Sequence, residues 1–222
     1  MMLPFAGGIE ATENGALVLA LAAAFLYLFR PASAGGIKWA IIKTIPVALF
    51  AFIAFRLNAP WLLVIGLALS ALGDWFLAFE GEKPFLGGLA SFFAAHIAYI
   101  ALFVSSAREM LWNEDYSRIV LALALLVHAS LMGRKLAGAV PTNLKLPVIA
   151  YVTVISLMGL AAAAYGSLTI LAGAMFFALS DTMLAIRNFL LGDDDPRCSN
   201  LDSGVWITYI VAQVLILFGF VA

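Results

Sequence analysis

The 222-residue chain has one cysteine, Cys198, and two histidines, His96 and His128. A single thiol closes no intramolecular disulfide and builds neither a Cys-rich zinc site nor an iron–sulfur cluster. Two histidines with no His-x-x-x-His pair make a poor zinc cage, so no metal ligand is assigned and no cofactor is expected. Charge is also scarce: Asp, Glu, Lys and Arg make up 11% of the residues and the formal net charge is −1. No basic patch or tail offers the electrostatic footprint of a nucleic-acid partner. The chain is 64% hydrophobic, with a mean hydropathy of +1.06. A soluble domain needs far more polar surface, so the composition predicts an integral membrane protein whose partner is the bilayer.

A hydrocarbon core about 30 Å thick asks for about 20 apolar residues at 1.5 Å each. Eight such runs occur, near 14–29, 38–55, 60–79, 85–105, 117–133, 145–165, 167–190 and 203–222. The expected fold is all-α: one domain over residues 1–222, a bundle of eight transmembrane helices. Punctuation falls between the runs, as in Arg30-Pro31, Asn58-Ala59-Pro60, the Glu80 to Pro84 segment, Gly138 to Pro141 and Gly192 to Pro196. Ala32-Ser33-Ala34 resembles a signal-peptide cleavage site, but Glu10 and Glu13 stand where a basic n-region belongs, so helix one is expected to stay. Cytoplasmic loops collect Lys and Arg. With the N-terminus outside, Arg30, Lys38, Lys83, Arg134, Lys135, Lys145, Arg187 and Arg197 fall on the cytoplasmic side, and Arg56, Arg108 and Arg118 opposite. Both termini are expected to be non-cytoplasmic. The expected location, if the source is bacterial, is the inner membrane.

On that topology the intramembrane polar residues gain depths. Asp74, Asp181, Lys43, Tyr151, His128 and the somewhat deeper His96 fall in one layer, about 8–15 Å from the cytoplasmic face at 1.5 Å per residue. Gly66, Ser70 and Asp74 follow an i, i+4, i+8 stripe, and His96 and Tyr99 an i, i+3 pair, so each set shares one helix face. Asp74-Trp75-Phe76-Leu77-Ala78 and Asp181-Thr182-Met183-Leu184-Ala185 share D-x-x-L-A. Their offset of 107 residues also carries Lys43 to within one position of Tyr151, a hint of two parallel four-helix repeats.

An ionised Asp at the bilayer centre costs about 2.5–3.5 kcal/mol, and such residues are functional by default. The structural alternative is an ion pair with Lys43, but one lysine does not neutralise two aspartates, so one is expected protonated or paired through a ligand. His96 reads either as functional or as a core histidine bonded to a backbone carbonyl or Tyr99. His128, with Ser130 as its polar neighbour, reads as structural. Lys43 suits a functional role and snorkelling to the interface equally. Trp39, Trp61 and Trp206 read as interfacial anchors, Asp193-Asp194-Asp195 as a solvated loop, and Pro46 and Pro147 as kinks.

Five motifs in order, Lys43-Thr44-Ile45-Pro46, Leu72-Gly73-Asp74-Trp75-Phe76-Leu77, Gly88 through Phe92-Phe93-Ala94-Ala95-His96-Ile97-Ala98-Tyr99, Pro147-Val148-Ile149-Ala150-Tyr151 and Phe177 through Ser180-Asp181-Thr182-Met183-Leu184-Ala185, resemble the YhhN-like lysoplasmalogenase family. The resemblance covers helices two to seven. It implies an eight-helix hydrolase acting on a lysophospholipid: it cleaves the vinyl-ether bond of lysoplasmalogens, releasing a fatty aldehyde and a glycerophospho-base. It marks Lys43, Asp74, His96, Tyr151, Ser180 and Asp181 as the site. The residues suit that chemistry. Protonating the vinyl carbon creates an oxocarbenium ion that water captures, which asks, as glycoside cleavage does, for one carboxylic acid and one carboxylate. Asp74 and Asp181 are expected as acid and base in either order, with His96 assisting and Lys43, Tyr151, Ser180, Tyr99 and Ser70 binding or positioning.

Two other classes use membrane aspartates. An aspartyl protease of the prepilin-peptidase type would need Gly at 71, where this chain has Ala71. A proton-coupled transporter would fit intramembrane Asp, His and Lys, but no pair of Gly/Pro-broken helices marks a midplane site.

Overall fold

The computed structural model of the chain describes residues 4–6, 8, 11–31, 35–107, 116–192 and 194–221. Ala32-Ser33-Ala34, Arg108 and Asp193 lie outside the described residues. Within them the chain is all-helical: α1 (Thr12–Leu28), α2 (Ile37–Arg56), α3 (Trp61–Phe76), α4 (Glu82–Ser105), α5 (Tyr116–Ala139), α6 (Lys145–Tyr165), α7 (Leu168–Phe189) and α8 (Cys198–Val221), with a short 3-10 turn at Thr142–Leu144. Five segments, α2, α4, α6 with its leading turn, α7 and α8, are long and apolar enough to cross a membrane. Helices α1 and α3 are apolar but shorter, at 17 and 16 residues; sixteen residues reach only about 24 Å. Large apolar side chains point outward along the helices, among them Phe25, Val104, Leu157 and Leu179. Water would not tolerate so much exposed apolar surface, whereas lipid does.

The boundaries have local causes. Pro60 precedes α3 and Trp61 opens it. Gly166, in the left-handed region at φ +85°, ends α6, a conformation that costs a side chain with a Cβ. Helix α5 runs six residues past the apolar run, because charge ends an apolar run without ending a helix: Arg134 and Lys135 are good helix formers and lie on α5, not in a loop. Pro46 sits inside α2 and, lacking an N–H, leaves the carbonyl of Ile42 without its helical donor. Pro147 is the third residue of α6, in the first turn. The N–H it lacks would have no helical acceptor there, so it opens the helix instead of kinking it.

The chain divides into two compact units. The first holds residues 1–99 and 217–222. In it α2 packs against both α1 and α3, and glycines bring α4 close to α3. A Cβ on Gly66 would stand 2.6 Å from the Tyr99 ring, and one on Gly73 2.6 Å from the Phe92 ring. Asn14, fully buried on α1, holds the leading segment by bonding both the N–H and C=O of Phe5 and the C=O of Gly8, and Phe5 stacks on Phe218 at 5.7 Å. The second unit, residues 100–216, packs α5, α6 and α7 on one another. Gly173 of α7 lies against the α8 backbone at Ala212 and Ile216. Trp206, expected at an interface, is buried on α8 beside Tyr209, because the inward face of α8 reaches it. Trp61 is 67% exposed at the start of α3.

Candidate functional site

In the first unit, Asp74 (2% exposed), Ser70 and His96 (both 0%) are buried, as is Tyr99. Lys43, on α2, donates from Nζ to the carbonyl of Leu77 at 3.4 Å. That carbonyl closes α3 three residues past Asp74, so the ammonium sits at the negative end of the α3 dipole and within about one turn of the carboxyl. The Lys43 Nζ also lies 6.0 Å from the centre of the Tyr27 ring, over which Arg30 stands at 4.5 Å. By sequence Arg30 counts only as a cytoplasmic-side cation, and Tyr27 has no assigned part. A cation three residues after a tyrosine at a helix end was the available signal.

His96 places Nδ1 2.7 Å from the carbonyl of Phe92, one turn earlier on α4. A carbonyl only accepts, so Nδ1 carries the proton and Nε2 is the nitrogen left to take one. The backbone-bonded alternative for His96 is thus present, and the bond orients the ring.

In the second unit, Tyr151 of α6 donates from its hydroxyl to the Asp181 carboxyl of α7; the two are 8% and 9% exposed. Ser180 donates to the carbonyl of Val205 on α8 at 2.9 Å, so its hydroxyl ties two helices beside Asp181. His128 of α5 bonds through Nε2 to Thr182 Oγ1 at 3.0 Å. Thr182 spends its own proton on the carbonyl of Ala178 at 2.7 Å, so Nε2 of His128 must be the donor. That matches the structural reading of His128. Arg187, one of the cations at the expected cytoplasmic side, pairs with Asp202 at 3.3 Å. Gln213, fully buried on α8, was missed, although an amide in an apolar run is itself a signal.

A helical membrane protein with a buried carboxyl in each of two units, each approached by a polar residue of the preceding helix, is the class this arrangement defines. The YhhN family model matches residues 37–220, and the chain belongs to the YhhN family. It is similar to proteins named lysoplasmalogenase from Mycobacterium bovis (strain ATCC BAA-935 / AF2122/97) and Mycobacterium tuberculosis (strain CDC 1551 / Oshkosh). Each is 32% identical over 161 residues, covering 71% of this chain and 59% of the relative. The chain thus spans somewhat under two thirds of the length of these curated relatives. No solved structure matches.

Proposed function

We propose that the chain is a membrane-embedded hydrolase that cleaves the vinyl-ether bond of lysoplasmalogens, giving a fatty aldehyde and a glycerophospho-base. Kinship with proteins named lysoplasmalogenase supports the reaction. The observation that carries the mechanism is the near-complete burial of Asp74 and Asp181: loss of water favours the protonated form of a carboxyl, and a cation near one, as Lys43 is at the end of the helix that carries Asp74, favours the ionised form. One gives a proton to the vinyl carbon next to the alkyl chain. The electron pair of the double bond takes it, and positive charge spreads over the neighbouring carbon and the ether oxygen. The other carboxylate stabilises that oxocarbenium ion and takes a proton from water as it adds. The resulting hemiacetal breaks its carbon–oxygen bond to glycerol, releasing the aldehyde. The balance is one vinyl ether and one water for one aldehyde and one alcohol. Lys43 keeps the first site electropositive, His96 offers Nε2 for a proton, Tyr151 holds Asp181, and Ser180 and Tyr99 position α7 and α3.

In this reading all eight helices span the membrane, the short α3 included, and both termini face away from the cytoplasm. D-x-x-L-A, followed by contacts from Lys43 near Asp74 and from Tyr151 to Asp181, supports two parallel repeats. Neither the aspartyl-protease nor the transporter reading gains support. The test is aldehyde release, by mass spectrometry, from a vinyl-ether lysolipid and an ester lysolipid presented to purified protein in nanodiscs. Aldehyde should come from the vinyl ether alone, and Asp74→Asn and Asp181→Asn should each lower kcat by about 10²–10⁴-fold. Full activity in both variants would sink the mechanism.

A further inference from the structure

Membrane helices commonly satisfy a serine or threonine hydroxyl on the carbonyl four residues earlier. Ser91, Thr153, Ser156, Thr182 and Thr208 of this chain all do so, at 2.7–2.9 Å. Ser70 does not: its Oγ is buried without a hydrogen-bond partner among the described residues, and the residue is 0% exposed. A buried hydroxyl left unbonded costs about 1–3 kcal/mol, so a serine kept there points to a partner that arrives from outside the protein.

Its surroundings identify that partner. Ser70 is one turn before Asp74 on the same face of α3. The close approaches of Gly66 to Tyr99 and of Gly73 to Phe92 are seven residues apart on both helices and run in opposite directions, so α3 and α4 are antiparallel and in step along this seam. Halfway between the two contacts, His96 falls level with Leu69 and Ser70. A hydroxyl, a carboxyl and an imidazole, all buried, therefore lie within about one helical turn of one another along the seam. Two to four such polar partners are what a buried water requires.

We propose that Ser70 holds the hydrolytic water beside Asp74, which makes Asp74 the base of the reaction. This rests on the vinyl-ether reading and deepens it. The water oxygen forms a bond to the oxocarbenium carbon as Asp74 takes one of its protons, and Ser70 acts as a positioning residue through hydrogen bonds to that oxygen.

The experiment compares wild type with Ser70→Ala and Ser70→Gly in D2O, following aldehyde formation, thermal unfolding and the mass of unreacted substrate. In wild type, water captures the cation faster than it reverts, so recovered substrate stays unlabelled. Without the hydroxyl, capture slows. The cation then returns to the vinyl ether by losing a proton from the carbon that gained deuterium, and recovered substrate gains one mass unit. The expected result is kcat lower by about 10- to 100-fold, label in the recovered substrate, and a Tm close to wild type, because the hydroxyl bonds no group of the protein. A variant that keeps wild-type kcat, is slow without labelling its substrate, or is slow only because it unfolds earlier would overturn the proposal while leaving the vinyl-ether reading intact. Wild-type protein that yields no aldehyde would overturn both.

Discussion

Gly73→Ala tests whether close packing of α3 on α4 sets the geometry around Asp74 and His96. The added methyl would land 2.6 Å from Cδ2 and Cε2 of Phe92 and 3.0 Å from Cζ. Carbon atoms prefer about 3.5–4.0 Å, so the ring must withdraw by about 1 Å. Phe92 is 6% exposed and has little room to move, and its carbonyl is the acceptor that orients His96. Overpacking of this kind costs about 1–3 kcal/mol. The helix-propensity gain of about 1 kcal/mol for replacing glycine does not offset it, because membrane helices keep their backbone hydrogen bonds when tertiary packing is lost. At about 2–4 °C per kcal/mol for a chain of this size, Tm should fall by roughly 2–12 °C in scanning fluorimetry of the micellar protein, with kcat falling alongside. Gly133→Ala, where no heavy atom lies within 4 Å of the new Cβ, is the control and should leave Tm nearly unchanged. In a Phe92→Ala background, Gly73→Ala should add less than about 0.5 kcal/mol, since the clashing ring is gone. An unchanged Tm for Gly73→Ala, or the same loss with and without Phe92, would refute the reasoning.

Three further outcomes are expected. Tyr151→Phe removes the hydroxyl that bonds the Asp181 carboxyl; a hydrogen bond is worth about 0.5–1.5 kcal/mol, so kcat/KM should drop by about 2- to 10-fold in the aldehyde assay, and an unaltered value would remove Tyr151 from the site. Ser180→Ala breaks the bond from α7 to the Val205 carbonyl of α8 and should lower stability by about 0.6 kcal/mol, at most about 1.7, more than Ser156→Ala, whose hydroxyl bonds only its own helix. The side-chain hydrogen bonds from Arg197, then its backbone N–H, hold the Asp195 carboxyl down to about 2. A depressed folded-state value stabilises above the ordinary carboxylate range and is lost as pH falls through the folded one, so the Tm difference between wild type and Asp195→Asn should be constant above about pH 4 and shrink between pH 4 and 2. A difference that widens on acidification would contradict the pairing.

Much of the helix pattern could be read from hydropathy alone, because the free energy of placing a side chain in lipid is a property of that residue and its near neighbours. Helix α6 begins and ends where its apolar run does, at 145 and 165. Helices α5 and α8 overrun theirs, by six residues and by five, since a helix continues as long as its backbone bonds are made, whatever the charge of its side chains. The burial of Asp74 and Asp181 was legible for the same reason: an acid inside an apolar run has nowhere polar to go. Their partners were not. That Lys43 caps α3, that Tyr151 reaches Asp181, that Ser180 ties α7 to α8 and that Trp206 turns inward all depend on which faces of separate helices meet. That is decided by shape, by where Gly66, Gly73 and Gly173 let another helix come close, and no period in the sequence records it. Ser70 lies on this divide. Its place one turn before Asp74 was visible in the sequence, whereas its unbonded hydroxyl, level with His96, exists only because α3 and α4 pack in step.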